Sequence, residues 1–195
     1  QDVAADPRTL ALSLGSVQLL QRLQAWPASA AQPIAAVHVS QAPPTWPGSA
    51  AVRLAAADEG VPMLGAVLSY GTLVTTLQQA WLADAAAAPL RLHTRFGTPV
   101  SALKAVPGGA EVDAGIAETF DLVVVAEGGV FSNQVRKAVT RDYAQTAWVG
   151  SVTLEGASPG MAFERFTRHG PAALLPLPRQ PHEAGGATRA ALVWC

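Results

Sequence analysis

Three places in the chain combine residue types and spacing in ways that chemistry can use. The first is Leu122–Ala126, continuously apolar and mostly valine, which runs into Glu127-Gly128-Gly129. A backbone that turns sharply, or that lets a ligand approach closely, excludes a Cβ, and a glycine pair meets that demand. A strand-end turn without any ligand meets it equally well. The second is Arg8, three residues before Ala11-Leu12-Ser13. A guanidinium offers a planar fork to phosphate oxygens; a solvated loop arginine is the plain alternative. The third is Ala162–Thr167, where Phe163, Arg165 and Thr167 alternate with Ala162, Glu164 and Phe166. In a strand this puts Arg165 on one face and Glu164 on the other. A structural ion pair, or two long side chains lying along core aromatics, gives the same pattern.

Other chemistries lack their residues. His38, His93, His169 and His182 have no second histidine or acid at metal-ligand spacing, so no metal is expected. No Gly-x-Ser-x-Gly elbow or Cys-His pairing suggests hydrolysis. The net charge of -1, with no arginine-lysine run, argues against nucleic acid as a partner. Half of the 195 residues are hydrophobic and 14% are charged, ample for a core and unlike a disordered chain. Cys195 is the sole cysteine, which leaves no disulfide framework and suits a reducing compartment. No segment reaches the ~20 consecutive apolar residues of a membrane span, and Gln1-Asp2-Val3 lacks the basic-then-apolar order of a signal peptide. A cytoplasmic protein is expected.

Regular elements must position these residues. Leu14, Val17, Leu20 and Leu23 predict a helix capped by Ser13, running to Ala25 and stopped by Trp26-Pro27. Ala35, Val37 and Val39 alternate as a half-buried strand, and the prolines of Gln41–Gly48 predict a loop. Leu64–Leu68 reads as a short strand. Leu73, Leu77 and Trp81 predict a helix that ends in the alanine run before Pro89. Leu90–Thr94 is weakly strand-like, and Leu103–Val106 and Ala110–Ile116 flank the turn Pro107-Gly108-Gly109 as a hairpin. The apolar run Leu122–Ala126 predicts a strand covered on both faces, as in a parallel sheet. Ala147–Leu154, Ala162–Thr167, Ala172–Leu177 and Ala190–Trp194 are four further strands, suited to an antiparallel sheet.

Asp6-Pro7-Arg8-Thr9-Leu10-Ala11-Leu12-Ser13, Asp121–Gly129, Ala162–Thr167 with Arg168-His169-Gly170-Pro171, and Leu192-Val193-Trp194-Cys195 occur in an order that spans nearly the whole chain. In that order they resemble the flavin-dependent aromatic hydroxylases of ubiquinone biosynthesis. The resemblance implies an α/β fold: a partial FAD/NAD(P)-binding Rossmann-like domain over residues 1–140, joined to part of a mostly antiparallel substrate-side sheet over 141–195. It implies FAD as cofactor, NADH or NADPH as reductant, and molecular oxygen and a polyprenylated phenol as substrates. A protein assembly of ubiquinone biosynthesis and peripheral contact with the inner membrane are the partners it implies.

Residue by residue, the resemblance puts Arg8 against the flavin's pyrophosphate and isoalloxazine side and brings Tyr70 to the flavin. It sets Glu127, Gly128 and Gly129, with Ser132 and Arg136 downstream, along the cofactor edge. The family has Ala-Asp-Gly where this chain has Ala126-Glu127-Gly128, and its serine comes one residue earlier. Phe163, Arg165 and Pro171 are the implied neighbours of the substrate pocket. The family's Gly-x-Gly-x-x-Gly unit precedes the stretch matched by Asp6–Ser13, and its Gly-Asp motif follows the strand matched by Leu192–Trp194. The chain is therefore expected to be an internal portion of the enzyme, inactive by itself. A non-catalytic binding or scaffold module, and a flavoprotein hydroxylase of another aromatic ring, are the alternatives.

Overall fold

The computed structural model describes residues 3–6, 8–42, 51–126, 144–179 and 188–195. Strand β1 (Thr9–Ser13) leads into helix α1 (Leu14–Arg22), followed by β2 (Gln32–Ile34), β3 (Ala36–Ala42), β4 (Ala51–Ala55), β5 (Gly65–Ser69) and helix α2 (Tyr70–Ala87). Next come β6 (Ala102–Val106), β7 (Gly109–Asp113) and β8 (Ala117–Phe120). The remaining strands are β9 (Trp148–Leu154), β10 (Met161–Thr167), β11 (Gly170–Pro176) and β12 (Thr188–Trp194). The result is a mixed α/β chain, mostly sheet. It divides into two units, Gln1–Ala87 with Ala144–Cys195, and Ala88–Tyr143.

In the first unit, β5 is the centre of a three-stranded antiparallel sheet in the order β1-β5-β2. It forms where the sequence predicts the short strand Leu64–Leu68, and its run Gly65–Leu68 is buried throughout. Helix α1 packs beside it through Val17 and Leu20, three residues apart on one face. Ser13 caps the helix, its Oγ accepting the Ser16 N–H at 3.3 Å. The helix ends earlier than Trp26-Pro27 requires. Gln24 takes a positive φ of 54°, its N–H donates to the Gln21 carbonyl at 3.0 Å, and the Ala25 N–H reaches the Leu20 carbonyl at 2.9 Å. This reversed turn satisfies the terminal carbonyls before the proline is met.

The second sheet has six strands in the order β4-β3-β10-β11-β12-β9. All its pairings are antiparallel except β3 with β10, the one parallel pair among the described strands. A parallel Rossmann-type sheet is thus not among the described elements. The four strand candidates of the C-terminal part all form, and they pair with one another as an antiparallel sheet. Of the expected loop Gln41–Gly48, the two described residues, Gln41 and Ala42, continue β3. The layers of this unit meet where Ile34, Val67 and Ala162 form a buried cluster, with Val37, Leu64, Leu175 and Leu177 packed against it. Gly170 is demanded by this architecture: its φ is 123°, and a Cβ there would lie 2.2 Å from the Cys195 carbonyl oxygen.

Helix α2 forms where its period predicts, capped by Ser69, whose Oγ accepts the Thr72 N–H at 3.1 Å. Its apolar residues do not form a core: Gly71 is its one buried residue, and Leu77 and Trp81 are exposed.

The second unit holds the antiparallel meander β6-β7-β8. Pro107 and Gly108, with Gly108 at φ 83°, make the turn between β6 and β7. The second arm of this hairpin is shorter than Ala110–Ile116 predicts. The Asp113 carboxylate accepts the Gly115 N–H at 3.0 Å, folding the chain back into β8. Two other expectations fail. Leu90–Thr94 is no strand, because the Arg91 and Leu92 N–H groups both turn back to the Ala88 carbonyl. Leu122–Ala126 is no strand either; no described strand pairs with it, and Leu122 and Val124 are 79% and 77% exposed. An apolar run becomes a doubly covered strand only when neighbours complete its backbone hydrogen bonds.

Two substitutions test this account of the backbone. Gln24→Gly relieves a left-handed conformation and should raise stability by up to about 1 kcal/mol. Gly170→Ala should lower it by about 1–3 kcal/mol. Both are read from urea unfolding, and equal effects of the two substitutions would contradict the turn geometry.

Candidate functional site

Arg8 immediately precedes β1 and Tyr70 opens α2; the β1–β5 pairing brings the two together. The register sets Thr9 opposite Ser69, so the residues just beyond that pair meet. The Tyr70 N–H donates to the Arg8 carbonyl at 2.6 Å. The Arg8 guanidinium lies over the Tyr70 ring, 4.9 Å from its centroid. It is also clamped by Asp6: Nη2 donates to Oδ2 at 2.7 Å, and Nε and the backbone N–H each reach Oδ1 at 3.0 Å. The side-chain hydrogen bond from Arg8, then the backbone one, hold the Asp6 carboxyl below the ordinary aspartate range. The same side-chain bond pushes the Arg8 guanidinium further up. The charge of Arg8 is thus oriented by a carboxylate and a ring while its outer surface stays open to solvent, at 70% exposure.

One residue along the chain from each member of this pair, Thr9 and Ser69 line a cavity of about 340 Å³. Thr72, Ser151, Arg179 and Arg189 also line it, and no carboxylate does among the described residues. The first-turn N–H groups of α2 are already used by the Arg8 and Asp6 carbonyls and by Ser69 Oγ. Attraction for an anion here therefore comes from guanidinium groups rather than from the helix terminus.

Phe163 and Arg165 lie on β10 and share one face of the six-stranded sheet. Residues directly opposite across paired strands project to the same side. One row of that face is Arg53, His38, Phe163, Leu174 and Leu192. The His38 and Phe163 rings meet at 5.9 Å between centroids. The next row is Ser40, Arg165, Ala172, Trp194 and Trp148, and Arg165 Nη1 donates to Ser40 Oγ at 3.4 Å. Pro171 does not join them. It stands opposite Phe166, on the face whose Ala162 packs against Ile34 and Val67. Sequence reasoning missed His38, Leu174 and Leu192 as neighbours of Phe163; alternation marks the face of each strand, but only the register lines them up.

Glu127, Gly128 and Gly129, with Ser132 and Arg136, lie outside the described residues. So does His182. Among the described residues no group of three or more His, Cys, Asp or Glu side chains could hold a metal ion, and no helix is long and apolar enough to cross a membrane.

Neither a protein-family model nor a curated protein sequence matches the chain. Solved structures do. The 2,6-dihydroxypyridine-3-hydroxylase of Arthrobacter nicotinovorans is similar over 100% of this chain and 47% of its own, with a TM-score of 0.57 and 12% identity. The tetracycline destructases Tet(51) and Tet(55) align over 97% of this chain and 46% of theirs, at 12% and 11% identity and TM-scores of 0.42 and 0.44. The chain thus spans about half the length of these structures. The first likeness places the α/β arrangement with the fold of a hydroxylase. At such low identity it concerns fold and assigns no residue.

The described residues fit one edge of a large anionic cofactor. They offer an oriented, solvent-open guanidinium on an aromatic ring, and an acid-free cavity with two more arginines beside it. No glycine-rich phosphate loop is among them. The Asp6 carboxyl should titrate below the ordinary aspartate value of ~3.9 and move back toward it in Arg8→Ala, which removes the side-chain hydrogen bond and keeps the backbone one, as followed by carboxyl carbon chemical shifts. Because the folded value is lowered, the stability that wild type gains over Arg8→Ala is present at neutral pH. It fades as pH falls through that lowered value. An unshifted Asp6 would mean that the clamp does not persist in solution.

Proposed function

We propose that the chain is part of an FAD-dependent, NAD(P)H-using monooxygenase that hydroxylates a polyprenylated phenol on the route to ubiquinone, with its resemblance closest to 2-octaprenyl-6-methoxyphenol hydroxylase. What carries this reading is the contact between Arg8 and Tyr70. The two residues that the family resemblance assigns to the flavin lie far apart in sequence, yet the guanidinium sits over the ring at 4.9 Å. The fold likeness to a hydroxylase over the whole chain supports it independently.

In this reading one oxygen atom of dioxygen enters the ring, the other leaves as water, and the reduced nicotinamide supplies two electrons. Flavin chemistry, when FAD is bound, supplies the oxygen activation. Arg8, held by Asp6 and Tyr70, would hold the pyrophosphate side of the flavin. The family resemblance assigns Glu127, Gly128 and Gly129 to the cofactor edge. Phe163, Leu174 and Leu192 offer an apolar shelf for the phenol ring, and Arg165 in the next row and Arg53 opposite His38 are charges on the same face. The chain's own task is orientation and the exclusion of water, so no nucleophile is required. The polyprenyl tail would bring the enzyme to the inner membrane surface by peripheral contact.

The second reading is a flavoprotein hydroxylase of a different aromatic ring, favoured by the likeness to a hydroxylase named for dihydroxypyridine. Flavin fluorescence titration of the natural polypeptide tests the shared part. FAD should bind, and Arg8→Ala should weaken it at least about tenfold, as loss of a charged hydrogen bond implies. NAD(P)H-dependent oxygen uptake with a prenylated phenol against a hydroxypyridine then separates the two readings. No FAD binding would overturn both and leave the non-catalytic module.

A further inference from the structure

The outer edge of β9 combines features that point to a second copy of this chain. On one side β9 pairs with β12 over all seven residues, without a bulge. Among the described residues no strand pairs with its other side. Open edges are ordinarily blunted by a charge, a proline or a bulge that discourages another strand. Trp148-Val149-Gly150-Ser151-Val152-Thr153-Leu154 contains neither a charge nor a proline. Trp148 and Val149 are 74% and 60% exposed. The opposite edge of the sheet differs: β4 carries Arg53 at its centre, so a twofold pairing there would set two arginines face to face.

We infer that β9 pairs antiparallel with β9 of a second copy about a twofold axis at Ser151, extending the sheet across a dimer. The sequence is self-complementary in that register. Trp148 falls opposite the partner subunit's Leu154, Val149 opposite the partner subunit's Thr153, and Gly150 opposite the partner subunit's Val152. The large exposed tryptophan thus gains an aliphatic neighbour on its own face, the kind of cross-strand pair that stabilises sheets. The nearest charge, Glu155, falls opposite the partner subunit's Ala147, so no like charges meet. The interface is isologous and closes on itself, whereas β9 on β4 of another copy would propagate without end.

Cysteine cross-linking of the full chain tests the register, in a Cys195→Ser background. Any antiparallel pair directly opposite has Cα atoms about 4.5–5.5 Å apart, within the ~4.4–6.8 Å that a disulfide spans. Ser151→Cys should therefore link two copies readily under mild oxidation, and Val149→Cys should not. Sedimentation of wild type should show a monomer–dimer equilibrium. Val149→Lys, with unchanged circular dichroism, should raise its dissociation constant at least about tenfold. A monomer at every attainable concentration overturns the inference. So does equal linking by the two cysteines, an open series of oligomers, or a dimer indifferent to Val149→Lys.

Discussion

The parallel pairing of β3 with β10 is the contact on which the rest of the first unit depends. It joins segments whose Ser40 and Arg165 lie 125 residues apart, in a register of seven residue pairs from Met161–Ala36 to Thr167–Ala42. Without it β4-β3 and β10-β11-β12-β9 would be two smaller sheets. With it they form one surface of six strands. The separation itself costs little, since closure entropy grows only with the logarithm of loop length. What the pairing needs is a reason to prefer one register. Ala162 supplies it by fitting between Ile34 and Val67, where a slip of one residue would present Phe163 or Met161 to the core instead.

That register also decides what the sheet displays. Because Ala162 faces the core, Phe163 and Arg165 must face away from it, and the same alternation carries His38, Leu174 and Leu192 to their side. Pro171 goes to the other face by the same rule. A single buried alanine therefore sorts the aromatic, apolar and charged residues of four strands into two surfaces of different character. The smallest side chain in the row has the largest organising effect, because only it permits the close approach of the layers.

On the other side of that core, a second antiparallel pairing does similar work. The β1–β5 ladder sets Thr9 against Ser69 and so delivers Arg8 to Tyr70. Asp6 then fixes a side chain that would otherwise spread over many rotamers. A long, solvent-exposed cation gains a defined direction from one carboxylate and one ring, with little burial. The acid-free cavity next to it adds guanidinium groups from β12 and the segment after β11. Positive charge from three separate parts of the chain is thereby gathered beside the same ladder.

Local patterns were legible in the sequence wherever a side chain acts on its own backbone. Ser13 and Ser69 cap helices, Pro107-Gly108 turns a hairpin, and the alternations of Ala147–Leu154 and Ala162–Thr167 form strands. Patterns whose meaning depends on a neighbour were not. Leu122–Ala126 reads as a buried strand yet is largely exposed and paired with no described strand, and the apolar residues of α2 make a helix without making a core. Arg8, Tyr70, Phe163 and Arg165 could be singled out as residue types, but their company could not. The sequence by itself determined the two helices, the Pro107-Gly108 turn and the four C-terminal strands, because capping, proline geometry and alternation act over a few residues. The tertiary structure alone decided which faces are buried and which side chains meet, because register is set by the fit of Ala162 against Ile34 and Val67, residues far away in the sequence.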